Sequence, residues 1–153
     1  MTIRKAGKID LAGILTFARE MARMHHELDP YYRPPEDYKN LAEDLASELD
    51  DPDNLILIAE DDSTPLGYIR VAVEEAPTYA APKKIGVVYD LFVDAARRGQ
   101  GIGEKLFEEA LAWLKSKNIK HIELSVDARN SGAVATWKKF GFFEYKLRMR
   151  RDL

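Results

Sequence analysis

Residues 85–107, IGVVYDLFVDAARRGQGIGEKLF, connect an apolar run to an amphipathic stretch through three closely spaced glycines. The apolar run from Ile85 to Val93 predicts a strand that is covered on both faces. The residues after Gly103 repeat apolar side chains at helical spacing and predict a helix. Because glycine destabilises both helices and strands, the glycines between these two elements indicate a loop with a specific function.

That loop has the chemistry of an anion site. A helix begins with backbone N–H groups that have no partner and with a partial positive charge. Glycines just before it let an anion approach those groups without meeting a Cβ atom, and Arg98 is able to add a charge-assisted bond. A flexible connection, the plainer interpretation, needs only one or two glycines. We therefore predict a phosphate-binding loop at Gly99, Gly101 and Gly103.

The spacing of these glycines argues against the two commonest nucleotide motifs. It reads G-x-G-x-G, whereas a P-loop ends in G-K-[ST] and a dinucleotide fingerprint reads G-x-G-x-x-G. No acidic residue stands at the end of a following strand to bind a ribose. Nucleotide hydrolysis and nicotinamide chemistry therefore become less favoured, and a nucleotide in an α/β binding protein stays as an alternative ligand.

The segments on either side of the loop alternate between helical and strand periodicity. They predict one mixed α/β domain, residues 1–153, with a central sheet flanked by helices in the order β-α-α-β-β-β-α-β-α-β. The predicted elements are strand 2–6, helices 10–28 and 36–51, strands 54–61, 66–75 and 85–93, a helix through Leu106 and Leu114, strand 119–126, helix 130–140 and a last strand 142–153. Gly141 is predicted to end the helix before it in a left-handed conformation.

Composition restricts the class of protein. The net charge of −3 argues against nucleic-acid binding. The absence of cysteine removes disulfides, thiolate nucleophiles and cysteine-bound zinc, and three scattered histidines make no metal site. No apolar run reaches the length of a membrane span, and the first residues lack a signal-peptide pattern. The sequence therefore predicts a cytoplasmic protein without a membrane or nucleic-acid partner.

Two stretches carry a resemblance to a known family. RGQGIG, residues 98–103, resembles the [Q/R]-x-x-G-x-[G/A] motif of the GNAT superfamily of acyl-CoA-dependent N-acyltransferases. NSGAVATWKKFGF, residues 130–142, resembles that family's N-x-x-A-x-x-x-Y-x-K-x-G-F stretch, and the predicted order of elements is also the family's. The resemblance implies an N-acetyltransferase that uses acetyl-CoA as its co-substrate.

The resemblance also implies which residues bind coenzyme A. The end of the buried strand would lend backbone groups to the pantetheine arm, and the glycine loop would hold the pyrophosphate through its main-chain N–H groups. Asn130 would bond to the coenzyme, or it would cap the helix that follows. The implied binding residues are Leu91, Phe92, Val93, Arg98, Gly99, Gln100, Gly101, Ile102, Gly103, Glu104 and Asn130.

The catalytic groups are less clearly indicated. Transfer to an amine requires a base that removes a proton, and Asp90 is the only charged residue inside the apolar run. It is either that base or a buried carboxylate satisfied by local hydrogen bonds. Because strand residues alternate between faces, we expect Tyr89 and Asp90 to point in opposite directions.

The family's proton-donating tyrosine is replaced here. Trp137 stands at that position, and an indole cannot supply a proton to the leaving thiolate. We expect Trp137 to pack against the core or the coenzyme arm. Tyr89 and Tyr145 are candidate replacements for the missing acid, and unassisted departure of the thiolate is the other option.

These observations favour direct acetyl transfer in a ternary complex, since a chain without cysteine cannot form a cysteine-bound acetyl intermediate. The acceptor is an amine-bearing small molecule, a peptide or a protein, and the sequence does not choose between them. A non-catalytic acyl-CoA sensor on the same fold is the alternative, and the tryptophan favours it. Family members often dimerise, so a homodimer through residues 76–84 or through the last strand is a further option.

Overall fold

Four helices flank one five-stranded sheet in the computed structural model, which describes all residues 1–153. The strands are β1 (Thr2–Lys5), β2 (Asn54–Asp61), β3 (Thr64–Glu75), β4 (Lys84–Val93) and β5 (Ile122–Leu124), in that order across the sheet. The helices are α1 (Leu11–Leu28), α2 (Leu41–Leu49), α3 (Ile102–Ser116) and α4 (Ser131–Lys139). No helix is both long and apolar enough to span a membrane.

The antiparallel part of the sheet consists of two hairpins, β2–β3 and β3–β4, with β1 added beside β2, and a helical crossover adds the parallel edge. β1 to β4 pair antiparallel, and β5 pairs parallel to β4. β2 and β3 are joined by two residues, Asp62 and Ser63, whose φ angles of 46° and 63° are both positive. Such a turn matches the right-handed twist of the strands that it connects. A parallel strand requires a longer crossover, and α3 supplies it.

The sheet has a different layer on each face. We call the side covered by α3 the α3 face, and its core includes Leu106 and Ala110, both without solvent exposure. We call the opposite side the α1/α2 face, and its core includes Ile14 and Leu45. β4 is therefore held between two apolar layers, which explains why residues 85–93 of its sequence are apolar apart from Asp90.

The structure confirms the predicted fold class and the order of its elements as far as α4. Gly141 has a φ of +90°, which confirms the left-handed end predicted for that helix. The last predicted strand is absent, because residues 142–153 form no regular structure. At the start of this segment, Glu144 forms an exposed 2.8 Å ion pair with Lys138 of α4. Because β5 has only three residues, it offers the longer segment 142–153 only a short strand edge to pair with.

Candidate active site

β4 separates from β5 halfway along its length. The two strands pair only through Gly86↔Ile122 to Val88↔Leu124. From Tyr89 to Val93, β4 continues beside β3 while its other edge has no strand partner. The backbone groups of this half-strand that point toward β5 are therefore available to an extended ligand, which would pair as an additional strand does.

The side chains of this open half of β4 belong to the core. Phe92 is buried and its ring stacks on Phe17 of α1 at 5.2 Å. Leu91 and Val93 pack against the core of the α3 face. Any binding role for these three residues therefore falls to their backbone, as the sequence predicts.

The glycine loop lies immediately after that open edge. Gly99 and Gly101 have φ angles of +75° and +76°, a region that side-chain-bearing residues rarely adopt. A Cβ atom added to either would meet nothing within 4 Å, so both face open space. Gly103 differs, since its added Cβ would lie 3.6 Å from Cγ2 of Val93, an ordinary contact.

The loop presents its backbone N–H groups to that open space. The N–H groups of residues 98–104 donate no hydrogen bond within the protein, and the first that does is Lys105, to the carbonyl of Gly101 at 3.1 Å. These groups stand at the positive end of a 15-residue helix. A row of free donors at a helix start is the arrangement that binds phosphates, so the loop is suited to a phosphate-bearing ligand.

The Arg98 side chain folds back onto β4. Its Nε donates to the carbonyl of Val93 at 3.0 Å, and its guanidinium lies over the Phe92 ring at 5.5 Å from the ring centroid. The side chain therefore ties the loop back to β4. At the helix start, Lys139 of α4 forms a 3.3 Å ion pair with Glu104.

Asn130, which precedes helix α4, and Trp137 within it both have structural roles. The Asn130 side chain accepts a hydrogen bond from the N–H of Ala133 at 3.1 Å, which is the capping role considered for it. Trp137 lies among Phe107, Phe140 and Phe142, with ring centroids 5.5 to 5.9 Å away. Its side chain therefore packs, as expected.

A bulge in β4 overturns the expectation that Tyr89 and Asp90 point in opposite directions. The β3–β4 ladder pairs Arg70 with Asp90 and Val71 with Val88, so Tyr89 is an extra residue in β4. Asp90 Oδ2 lies 2.8 Å from Nε of Arg70, and the Tyr89 ring centroid lies 4.8 Å from Cζ of the same arginine. Alternation fails here because a bulge adds a residue and re-aims the side chains around it.

The surroundings of these two residues differ sharply. The side chain of Asp90 is 14% exposed and is already ion-paired. Tyr89 is 47% exposed, and its hydroxyl donates a hydrogen bond to the carboxylate of Glu74. Of the two, Tyr89 is the residue that a ligand in the open half of β4 reaches more easily.

Tyr145 lies away from the open half of β4. It belongs to the irregular segment 142–153 and is 61% exposed. Its interaction with the Glu123 carboxylate raises the pKa of Tyr145 to about 12. Glu123 pairs with Val87, in the half of β4 that β5 covers. A raised pKa also makes this tyrosine a poorer proton donor.

A polar network that the sequence did not reveal links the end of α1 to the residues before α4. The Asp29 carboxylate accepts hydrogen bonds from Arg129 at 2.7 Å and from Arg150 at 2.9 Å. The Tyr32 hydroxyl donates to Asp127 at 2.8 Å. The bond from Arg129, with further help from the Tyr31 N–H and Arg150, lowers the pKa of Asp29 to about 2. These partners are about a hundred residues apart in the chain, so no local sequence pattern predicts their contacts.

Comparison with known proteins agrees with this geometry. Residues 21–142 match the model of the acetyltransferase (GNAT) family. An uncharacterized N-acetyltransferase from Archaeoglobus fulgidus is 34% identical over 131 residues, which cover 85% of this chain and 84% of that protein.

Solved structures share the fold along the whole chain. A mutant protein from Bacillus halodurans superposes with a TM-score of 0.91 at 24% identity, covering 100% of this chain and 99% of its own. A predicted acetyltransferase from Clostridium acetobutylicum, crystallised with acetyl-CoA, has a TM-score of 0.78 at 18% identity, covering 99% and 95%. At these identities the likeness concerns the fold alone.

Proposed function

Because the chain belongs to the acetyltransferase (GNAT) family, we propose that it transfers the acetyl group of acetyl-CoA to a primary amine. The acceptor is a small molecule, a peptide or a protein, and residues 1–153 act as one catalytic domain. The observation that carries the proposal is the row of free N–H groups at residues 98–104, directly after the unpaired edge of β4. The two features together suit a ligand with phosphates at one end and an amide chain at the other.

The binding roles follow from this arrangement. The main chain of the glycine loop would hold the pyrophosphate. The open backbone of Leu91 and Val93 would pair with the amides of the pantetheine arm. The amide of Leu91 is our choice for the group that stabilises the charge that develops on the thioester oxygen. Asn130 keeps its capping bond in this scheme and adds its free amide N–H₂ to the coenzyme.

Acetyl-CoA supplies an activated thioester: the amine nitrogen bonds to the acetyl carbon, the C–S bond breaks, and the amine loses a proton. For the protons we choose Tyr89 and Glu74, whose hydroxyl and carboxylate are hydrogen-bonded and accessible. Glu74 would take the proton from the amine, and Tyr89 would donate one to the departing thiolate. Asp90 serves as an ion-pair partner rather than as the base, and Tyr145 takes no part.

A non-catalytic acyl-CoA sensor is the second candidate function. Trp137 favours it, because this side chain packs among three phenylalanines and has no proton to give. The two functions differ in turnover. Titration with acetyl-CoA by calorimetry, followed by thiol release with a panel of amines and peptides, separates them: binding with release supports the enzyme, and binding without release on any acceptor supports the sensor.

Gly101→Val tests the loop itself. The valine requires a strained backbone and places a branched side chain where the phosphates approach. Loss of about two charge-assisted hydrogen bonds, roughly 3 kcal/mol, should weaken coenzyme A binding by about 100-fold. Gly141→Val is the matched control, since Gly141 also has a positive φ and open space around it. Wild-type binding by Gly101→Val, or equal loss in both variants, would contradict the phosphate-loop assignment.

A further inference from the structure

Arg70 of β3 joins three elements from inside the α1/α2 face. Its Nη1 lies 2.9 Å from Oε1 of Glu48 on α2, and its Nε lies 2.8 Å from Oδ2 of Asp90 on β4. The Tyr89 ring covers its guanidinium. We call Arg70, Glu48, Asp90 and Tyr89 the Arg70 cluster. The contact with Glu48 is a hydrogen bond, whereas the contact with Asp90 is an ion pair without hydrogen-bond geometry at Nε. A lysine has a single charged atom in place of the planar guanidinium and could not occupy both positions.

The cluster is closed to solvent on most sides. The side chains of Arg70, Glu48 and Asp90 are 18%, 23% and 14% exposed. Burial raises the pKa of Glu48 while the charge of Arg70 opposes that rise. Buried charges persist only when they are paired, because removing one leaves its partners without compensation. The geometry of these side chains is therefore constrained.

The cluster is located at the bulge itself. The ladder shifts register between Arg70 and Val71, and the two β4 residues that contact Arg70 are the extra residue Tyr89 and its neighbour Asp90. The next residue, Leu91, opens the half of β4 that has no partner on the β5 side. The direction of the Asp90–Leu91 peptide group thus depends on how Arg70 holds Asp90.

We propose that Arg70 is a positioning residue: by holding Asp90 and Tyr89 it fixes the bulge of β4 and so aims the Leu91 amide at the thioester oxygen and the Tyr89 hydroxyl at the reacting centre. This inference rests on the proposed acetyltransferase function. Arg70 itself touches neither co-substrate, and Glu48 anchors the arginine from α2. The buried carboxylate of Asp90 is thereby explained as an anchor.

A purely structural arginine is available for comparison. Arg4 of β1 also bridges two carboxylates, with Nη1 2.8 Å from Asp10 and Nη2 2.7 Å from Glu60. It lies at the opposite edge of the sheet from β5. Arg4→Lys and Arg70→Lys therefore each replace a guanidinium that bridges two carboxylates. Only Arg70 lies beside the bulge.

The experiment measures acetyl-CoA affinity, kcat and thermal stability for both variants. Arg70→Lys should lower kcat by about 10- to 100-fold, because misplacement of groups by less than an ångström has effects of that size. Its affinity for acetyl-CoA should fall by no more than about threefold, since the glycine loop keeps the pyrophosphate contacts and only the pairing of Leu91 with the pantetheine arm is displaced. Arg4→Lys should lose stability and keep kcat within twofold. A kcat loss in both variants, or in neither, would overturn the proposal.

Asp90→Asn covers the case in which Arg70→Lys does not fold. It keeps the size of the side chain and leaves the Arg70–Glu48 pair in place. If Asp90 is an anchor, Asp90→Asn lowers kcat by a similar factor at every pH. The fall in rate toward acidic pH, which reports protonation of the catalytic base and forms the acidic limb of the pH–rate profile, then remains. If that limb disappears, Asp90 is the base and the proposal fails. The groups that face Asp90 are Arg70 and Tyr68 of β3, Tyr89 of β4 and Glu48 of α2.

A readout without turnover separates this inference from the proposed function. In ¹H–¹⁵N spectra of the free protein, Arg70→Lys should shift the amide resonances of Tyr89 and Leu91, and Arg4→Lys should not. If the wild type shows no thiol release but these shifts occur, the acetyltransferase assignment fails while Arg70 still sets the bulge. If turnover is present and the shifts are absent, the positioning role fails.

Discussion

The two faces of the sheet bury different kinds of side chain. The core of the α3 face consists of apolar residues alone, centred on Leu106, Phe107 and Ala110. The α1/α2 face has a comparable apolar core, but it also encloses the Arg70 cluster and the hydroxyl of Tyr68. Both faces contact β4, the strand on which the candidate site is built.

The difference shows how one strand can serve two purposes. Apolar packing on the α3 face has no directional requirement, so it supports a binding loop that acts through its backbone. The charges on the other face are paired at fixed positions beside the bulge, so they determine its shape. Rigid support comes from the first face, and the orientation of chemical groups comes from the second.

The largest effect on stability is expected on the α3 face. Leu106→Ala should lower the free energy of unfolding by about 3 kcal/mol, because it leaves a cavity among fully buried neighbours. Urea denaturation measures the loss. Leu111→Ala, on the half-exposed side of the same helix, is the control and should lose clearly less. Equal losses would mean that α3 does not pack as described.

A smaller effect is expected at low pH from the network at the end of α1. Asp29 has a pKa of about 2 in the folded chain, against about 3.9 in an unfolded one. The unfolded state therefore binds a proton first as the pH falls, and the contribution of Asp29, complete above about pH 5, is lost progressively toward pH 2.

Asp29→Asn should flatten that part of the stability–pH curve, measured by denaturation between pH 5 and 2. Asp62→Asn is the matched control: this aspartate lies exposed in the β2–β3 turn and forms no ion pair, and asparagine tolerates its positive φ. If both variants keep the wild-type acid response, the Asp29 contacts do not stabilise the protein.

The smallest effect concerns the polar atoms of the α1/α2 face. The Tyr68 hydroxyl is buried and has no hydrogen-bond partner, so Tyr68→Phe should leave stability unchanged or raise it by up to about 1 kcal/mol. Tyr32→Phe, which removes a hydroxyl that donates to Asp127, should instead lose about 1 kcal/mol. A clear loss in Tyr68→Phe would show that its hydroxyl supports the Arg70 cluster.

Much of the fold and of the coenzyme site could be read from local patterns. The period of the apolar residues predicted α1 and β2 within a residue, and the glycines at 99 and 101 predicted a loop, in which the structure gives both a positive φ.

The sequence by itself determined the order of elements as far as α4, the position of the loop and the family, because each depends on residues close together in the chain. Only the tertiary structure decided which way Tyr89 and Asp90 point, since the bulge arises from pairing with β3. It also decided that residues 142–153 form no strand, although their alternation predicts one. Alternating apolar and polar residues show that a segment is able to pair as a strand. Pairing also requires a strand edge of sufficient length in another part of the molecule.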